Sequence, residues 1–191
     1  HPDGDYEQRV QALGREILAG GPVGDAIAEA ARVNAEAIRT VTLAQKLLQL
    51  TLPGVPDTYQ GAELLNLTLV DPDNRADIDF AAHAVRLAAL DAAGSAHDLD
   101  DEVLLVTSRT LRLRRDRPDD FAAGYAPLPL GDGLLGFTRD DDIVVAVRRL
   151  PRTPLPASVP LPAGDWVDVF TGARHRDGTG SLFNALPVAL L

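Results

Sequence analysis

Cysteine is absent from this 191-residue chain, which removes disulfides, thiolate catalysis and cysteine-based zinc sites together. Positive charge is short as well. Lysine and arginine number 18 against 28 aspartates and glutamates, for a net charge of −10. Nucleic-acid backbones are held by clustered positive charge, so this balance argues against such a partner and reads as solubility. No apolar run approaches the roughly 18 residues of a membrane-spanning helix, and no signal peptide is visible. The histidines His1, His83, His97 and His175 have no ligand spacing such as His-x-x-x-His, so no metal site is expected. His83 reads as packed or partly exposed rather than as a base. Ser95, Ser108, Ser158 and Ser181 lack nucleophile-elbow surroundings, and Gly20-Gly21 lacks the phosphate-loop pattern. The compartment expected from these absences is the cytoplasm. The opening His1-Pro2-Asp3 carries no methionine, which suggests a piece of something longer.

What remains is 46% hydrophobic, enough to fold around a real core as one domain or two small ones. Val10, Leu13, Ile17 and Leu18 recur at helical spacing from Tyr6 to Ala19, and Gly20-Gly21-Pro22 ends that helix. Asp25 is the expected cap of a long second helix. Its apolar stripe runs Ile27, Ala31, Asn34, Ile38, Val41, Gln45 and Leu48, widened by Ala30, Ala44 and Leu47 and interrupted at Asn34 and Gln45, which are expected at its edges; Pro53-Gly54 ends it. A third helix is expected from a cap at Asp77 or Asp79 through about Ala93, with Phe80, Ala84, Leu87 and Leu90 on one face. A fourth runs from Asp98 to Arg115, acidic at its start and basic at its end, which suits the helix dipole by about 0.3–1 kcal/mol per charge. The run Arg109, Arg112, Arg114, Arg115 and Arg117 reads as a helix end with local ion pairs rather than a nucleic-acid patch, given Asp116, Asp119 and Asp120 beside it.

At Pro118 the pattern changes. Short apolar runs (YAPLPL, LLGFTR, DIVVAVRRL, ASVPL, DWVDVF and PVALL) alternate with Gly131-Asp132-Gly133, Asp140-Asp141-Asp142 and Thr171-Gly172. That spacing predicts a small antiparallel sandwich. The expected division is 1–117, helical, and 118–191, a C-terminal β-sandwich.

The stretch that is not generic is Leu50 to Arg75. Val55 to Tyr59 is too short for a helix and reads as a buried strand, although Pro56 weakens it. Tyr59-Gln60-Gly61, Glu63 and then Asp71-Pro72-Asp73-Asn74-Arg75 cluster just past its carboxyl end, where barrels and open α/β sheets bind ligands. Glu63, Asp71 and Asp73 suggest a glycosidase pair, whose carboxyl groups stand about 5–5.5 Å apart in retaining enzymes. The preferred reading is that they shape the loop and hold sugar hydroxyls or Arg75.

PGVPDTYQGAEL followed by LVDPDNR resembles the segment at the eighth barrel strand of the maltooligosyl trehalose synthases, a family of the α-amylase superfamily (glycoside hydrolase family 13). The likeness continues more weakly through RTLRLRRDRPDDFAAGYAPL into DWVDVFTG. Where that family reads DPDNRRPVDF, this chain reads DPDNRADIDF, so Ala76 stands in place of a second arginine and Asp77 in place of proline. The resemblance implies an α+β piece: helices and the last strand of a (β/α)8 barrel, then the antiparallel sandwich. It implies a parent enzyme that turns the reducing-end α-1,4 bond of a maltooligosaccharide into an α,α-1,1 bond, by retaining intramolecular transglycosylation and with no redox cofactor. The family's catalytic carboxylates lie on earlier strands, so none is carried over. Tyr59, Gln60, Glu63, Asp71, Asp73, Asn74 and Arg75 are carried over as one wall of the glucan cleft, in contact with a barrel outside this chain. Two other readings remain: a non-catalytic glucan-binding or scaffolding module, and an α-amylase-type hydrolase fragment.

Overall fold

Apolar spacing and capping residues account for the helices. The computed structural model describes residues 3–68, 70, 75, 77–176 and 178–191. Helix α1 spans Gly4–Leu18 and α2 spans Pro22–Thr51. The Asp3 carboxylate accepts from the Tyr6 amide at 3.1 Å, satisfying one of the donors that a helix start leaves unpaired. Asp25 is not the cap of α2 but lies in its first turn. Pro22 opens the helix because its fixed φ suits the first position and its missing N–H is not needed there.

The chain divides into two compact units, His1–Ile38 and Arg39–Leu191. No described residue of the first unit is buried. Its apolar face stands in the open, with Val10, Leu13, Ile27 and Val33 between 49% and 60% exposed.

In the second unit the C-terminal half of α2 buries Thr40, Leu43, Ala44, Leu47, Leu50 and Thr51. Ala44 and Leu47 of the expected stripe are buried and Gln45 is exposed at its edge as expected, but the centre lies to one side: Val41 is exposed and Leu48 half-buried. Gln45 has an amide to hydrate, and the leucines beside it form the continuous apolar row. Helix α3, Phe80–Ala93, is capped by Asp79 and ended by Gly94 at φ +69, a left-handed turn that glycine takes without a Cβ clash. Leu90 is buried, but Phe80 is 53% exposed, and His83 and Arg86 take inward positions instead. Helix α4, Leu99–Asp116, is capped by Asp98, the residue at which the sequence placed the helix start. A short α5, Pro118–Ala122, follows and buries Phe121.

Six of the apolar runs become strands. β1 (Tyr125–Leu128), β2 (Leu134–Arg139), β3 (Ile143–Arg148) and β8 (Val188–Leu190) form one antiparallel sheet in the order β1-β2-β3-β8. β4 (Val159–Pro160) pairs with β7 (Thr179–Gly180), and β5 (Trp166–Val167) with β6 (Arg174–His175), as two-stranded ladders. β6 and β7 carry no apolar run that would have announced them.

Successive side chains of a strand face opposite ways, and β3 uses both directions. Ile143, Val145 and Val147 join Phe137, Val188 and Leu190 in a core shared with Leu43, Leu47 and Val103 to Val106 of the helices. Val144 and Ala146 join Leu134, Val159, Leu161, Ala189 and Leu191 in a second core on the other face. Gly136 makes the second packing possible, since a Cβ there would sit 2.3 Å from Leu130 Cδ1.

The arginine run ties these layers together. Arg114 donates to the Leu50 carbonyl at 2.9 Å and Arg139 of β2 to the Thr51 carbonyl at 3.0 Å, so two guanidiniums satisfy carbonyls left over at the end of α2. Arg139 also donates to the Phe121 carbonyl. Arg109 reaches the Phe170 carbonyl at 2.6 Å, and Arg112 grips Asp91 with two bonds of 2.7 Å.

Val55 to Tyr59 is not a strand. Val55 is 97% exposed, and among the described residues the run pairs with no strand. A lone strand has no acceptor or donor for its own backbone, and Pro56 removes one amide besides. Among the described residues no helix is long and apolar enough to cross a membrane.

Candidate functional site

The loop from Val55 to Thr68 is fixed at four places, and these set where its side chains go. Gln49 of α2 donates through its side-chain amide to the Asp57 carbonyl. The Ala62 amide returns to the Tyr59 carbonyl at 3.1 Å, closing a turn. Gly61, at φ +83, lies against Ile78, whose Cδ1 would be 2.8 Å from any Cβ. The Leu65 amide donates to Asp100 Oδ1 at 2.8 Å, anchoring the loop to the start of α4. That anchor is braced in turn: Arg86 of α3 bonds Asp101 at 2.7 Å and also Asp98, and Asp101 accepts from the His97 amide at 3.0 Å. The Asp101 amide and Arg86 together hold the Asp98 carboxyl below the usual range.

The turn presents Tyr59, 50% exposed, and Gln60 to solvent. Glu63 turns inward instead. Its Oε2 lies 3.9 Å from His83 Nδ1, and neither atom has a hydrogen-bond partner among the described residues although both are buried. Burial holds the Lys46 ammonium below its ordinary range, and the charge of Glu63 partly offsets this. Arg75 is exposed. Asp71, Asp73 and Asn74 lie outside the described residues. The structure therefore brings Glu63 together with His83 and Lys46, and leaves Tyr59 and Gln60 on an open turn.

Beside the turn is a cleft of about 410 Å³, within the size range of small-ligand sites. Thr42, Gln45, Lys46 and Gln49 of α2 form one wall, and Leu64, Leu65, Asn66 and Leu67 the other. Tyr59, Gln60 and Glu63 are not among its lining residues. Hydroxyl, amide and ammonium groups over an apolar floor offer both donors and acceptors. No nucleophile stands within hydrogen-bond reach of a base there, and among the described residues no three His, Asp or Glu are grouped to hold a metal ion. This chemistry suits binding a neutral, hydroxyl-rich ligand.

The α2 wall is what reading the sequence missed. Thr42, Gln45, Lys46 and Gln49 fall at i, i+3, i+4 and i+7, one face of a helix. Gln45 looked like a flaw in an apolar stripe; it belongs to a polar stripe running alongside.

Comparison with known proteins adds an independent line. Proteins provisionally named maltooligosyl trehalose synthase in Mycobacterium tuberculosis, strains CDC 1551 / Oshkosh and H37Rv, are 38% identical to this chain over 203 aligned residues, which take in all of it. The chain spans 25% of the length of each. A crystal structure of a maltooligosyl trehalose synthase superposes on 100% of the chain with a TM-score of 0.73, at 24% identity and over 27% of its own length. A provisionally assigned maltooligosyl trehalose synthase of Sulfolobus tokodaii superposes with a TM-score of 0.76 at 25% identity, covering 99% of this chain and 26% of its own. No family model matches the chain. From end to end, then, the chain is similar to maltooligosyl trehalose synthase, as its two sequence blocks implied.

Proposed function

We propose that this chain is the C-terminal portion of a maltooligosyl trehalose synthase, and that the whole protein is a (1→4)-α-D-glucan 1-α-D-glucosylmutase. The observation that carries the reading is the end-to-end likeness at 38% identity to proteins about four times as long. In that reading residues 1–117 close a catalytic (β/α)8 barrel and 118–191 form an accessory β-sandwich domain. The parent breaks the reducing-end α-1,4 bond of a maltooligosaccharide, holds the glycosyl group on a carboxylate, and returns it to the anomeric hydroxyl of the released glucose. The nucleophile and the acid/base belong to the remainder of the protein, so this piece alone forms no product.

This chain's residues bind and brace. Tyr59 offers a ring face and a hydroxyl to a sugar, and Gln60 a donor and an acceptor. Asp71, Asp73, Asn74 and Arg75 grip hydroxyls or stiffen the loop through charge-assisted bonds. Glu63, inward beside His83 and Lys46, sets the pose of the turn. The exposed apolar faces at Val10, Leu13 and Ile27, together with Val55, are covered by the rest of the protein.

Incubating the full-length protein with maltopentaose tests this. Loss of reducing ends, with a trehalose-ended product, is the expected outcome, and the 191-residue chain alone gives none. Release of new reducing ends by the full-length protein would make it a hydrolase. Binding without turnover would make it a glucan-binding module.

A further inference from the structure

The chain's single tryptophan is in a second cleft, apart from the one walled by α2. Trp166 opens β5, and its indole N–H donates to the Pro162 carbonyl at 2.9 Å. Part of the ring packs on the core beneath the sheet. The rest borders a cleft of about 500 Å³. Residue 164 keeps the ring uncovered: a side chain there would lie 3.5–3.9 Å from Nε1, Cε2 and Cζ2, and a φ of +142° restricts the position to glycine. Leu113, Ile143 and Val169 make an apolar floor, and Arg117, Asp141, Asp142 and Asp165 a charged rim. A further hollow of about 620 Å³ continues the surface past Ala163 to Asp165.

The rim decides the ligand class. Its charges are largely paired: Arg117 lies 2.5 Å from Asp120 and 3.2 Å from Asp142, and Arg176 lies 3.2 Å from Asp165. A cation would find a single carboxylate outside those pairs, Asp141, and would have to break a pair to gain a second; an anion would face three carboxylates. A flat apolar ligand would strip water from the rim without replacing its hydrogen bonds. A neutral polyol meets none of these costs. The C–H face of a pyranose covers an indole, and its vicinal hydroxyls bridge a carboxylate and a guanidinium, donating to one and accepting from the other.

We propose that the cleft beside Trp166 is a carbohydrate-binding site that takes a neutral oligosaccharide, with Trp166 as the stacking platform and Asp141, Asp165 and Arg117 as the polar rim. The site belongs to the 191-residue chain itself and stands whether or not the longer protein forms trehalose ends. Because no other tryptophan is present, indole fluorescence reports on the cleft without a label. Titration of the chain with maltoheptaose is expected to give a saturable change in emission with a millimolar midpoint. Asp165→Ala, at an exposed position outside both cores, is expected to weaken binding about fivefold, the loss of one hydrogen bond of ~1 kcal/mol. Asp132→Ala, at an exposed turn outside both clefts, leaves the midpoint unchanged. Flat emission up to the solubility limit of the sugar overturns the proposal, and so does a midpoint that neither Asp165→Ala nor Asp141→Ala moves. Product analysis of the longer protein reads none of these outcomes, so the two conclusions fail separately.

Discussion

Two stretches read as strands from their sequences, and they finish at opposite extremes. Ile143 to Val147 is at most 1% exposed along its length, whereas Val55 is 97% exposed. Both are short and bounded by turn residues, but Val55 to Tyr59 carries Asp57 and Thr58 where Ile143 to Val147 is wholly apolar. Company differs as well. β3 has β2 on one edge and β8 on the other, with helices over one face and short ladders over the second. Val55 to Tyr59 has no such neighbours among the described residues. An apolar strand pattern states a demand for partners; whether the demand is met depends on residues far away in the chain.

The strongest way to sharpen this contrast is to damage the side where the demand is met. Phe137 is fully buried between β3 and the helices. Phe137→Ala should cost about 3–5 kcal/mol through lost burial and a cavity that the neighbours cannot fill. Chemical denaturation of the 191-residue chain measures it, and a loss below about 1 kcal/mol would mean that the sheet is not the centre of stability.

Next comes Arg139, 2% exposed and bonded to the carbonyls of Thr51 and Phe121. Arg139→Leu keeps the bulk but leaves two buried carbonyls without donors, for an expected loss of about 2–3 kcal/mol. The same denaturation experiment applies. The end of α2 should also lose amide hydrogen-exchange protection before the sheet does, since Arg139 joins the two.

Acid should act more weakly, on the Asp98 cap and on the Asp91–Arg112 pair. The Asp98 carboxyl is held low chiefly by the Asp101 amide and then by Arg86, and Asp91 is held low by Arg112. A carboxylate with a depressed folded-state pKa stabilises the fold above its unfolded value of about 3.9 and loses that contribution as pH falls through the folded value. Both groups are well exposed, so solvent and salt shrink the effect. The denaturant midpoint should therefore stay level near neutral pH and drop below about pH 4. Asp98→Asn keeps a cap for the Asp101 amide but should flatten part of that drop. Asp98→Ala should cost about 1 kcal/mol at neutral pH as well.

Much of this fold is legible in local chemistry. Asp79 as one of two candidate caps, the start of α4 at Asp98 and the strands around Phe137 and Val145 follow from spacing and turn residues alone. Less of the site is. Tyr59 and Gln60 stand on the open turn next to the cleft, yet its walls come from α2 and from residues 62–67. Thr42 and Gln49 gave no signal by type, only by their shared helical face. Glu63 was readable as a loop residue, but its approach to His83 joins positions 20 apart across two elements. β6 and β7 were invisible because they are two residues long and, unlike β4 and β5, lie in no apolar run. Such pieces are defined by what they pair with.

The smallest expected effect is at Val55, and it tests the comparison most directly. Val55→Asn changes a side chain already in water, so the 191-residue chain should keep its stability within about 0.5 kcal/mol. In the longer protein proposed above, neighbouring barrel strands would pair with Val55 to Tyr59 and cover the valine. There the same substitution removes a buried apolar side chain and should cost about 1.5–3 kcal/mol. Measuring both proteins under one set of conditions isolates the contribution of the neighbours, because the local sequence is identical in each. A negligible effect in both would mean that nothing in the longer protein answers the strand pattern, and the contrast with β3 would then reflect side-chain composition rather than missing partners.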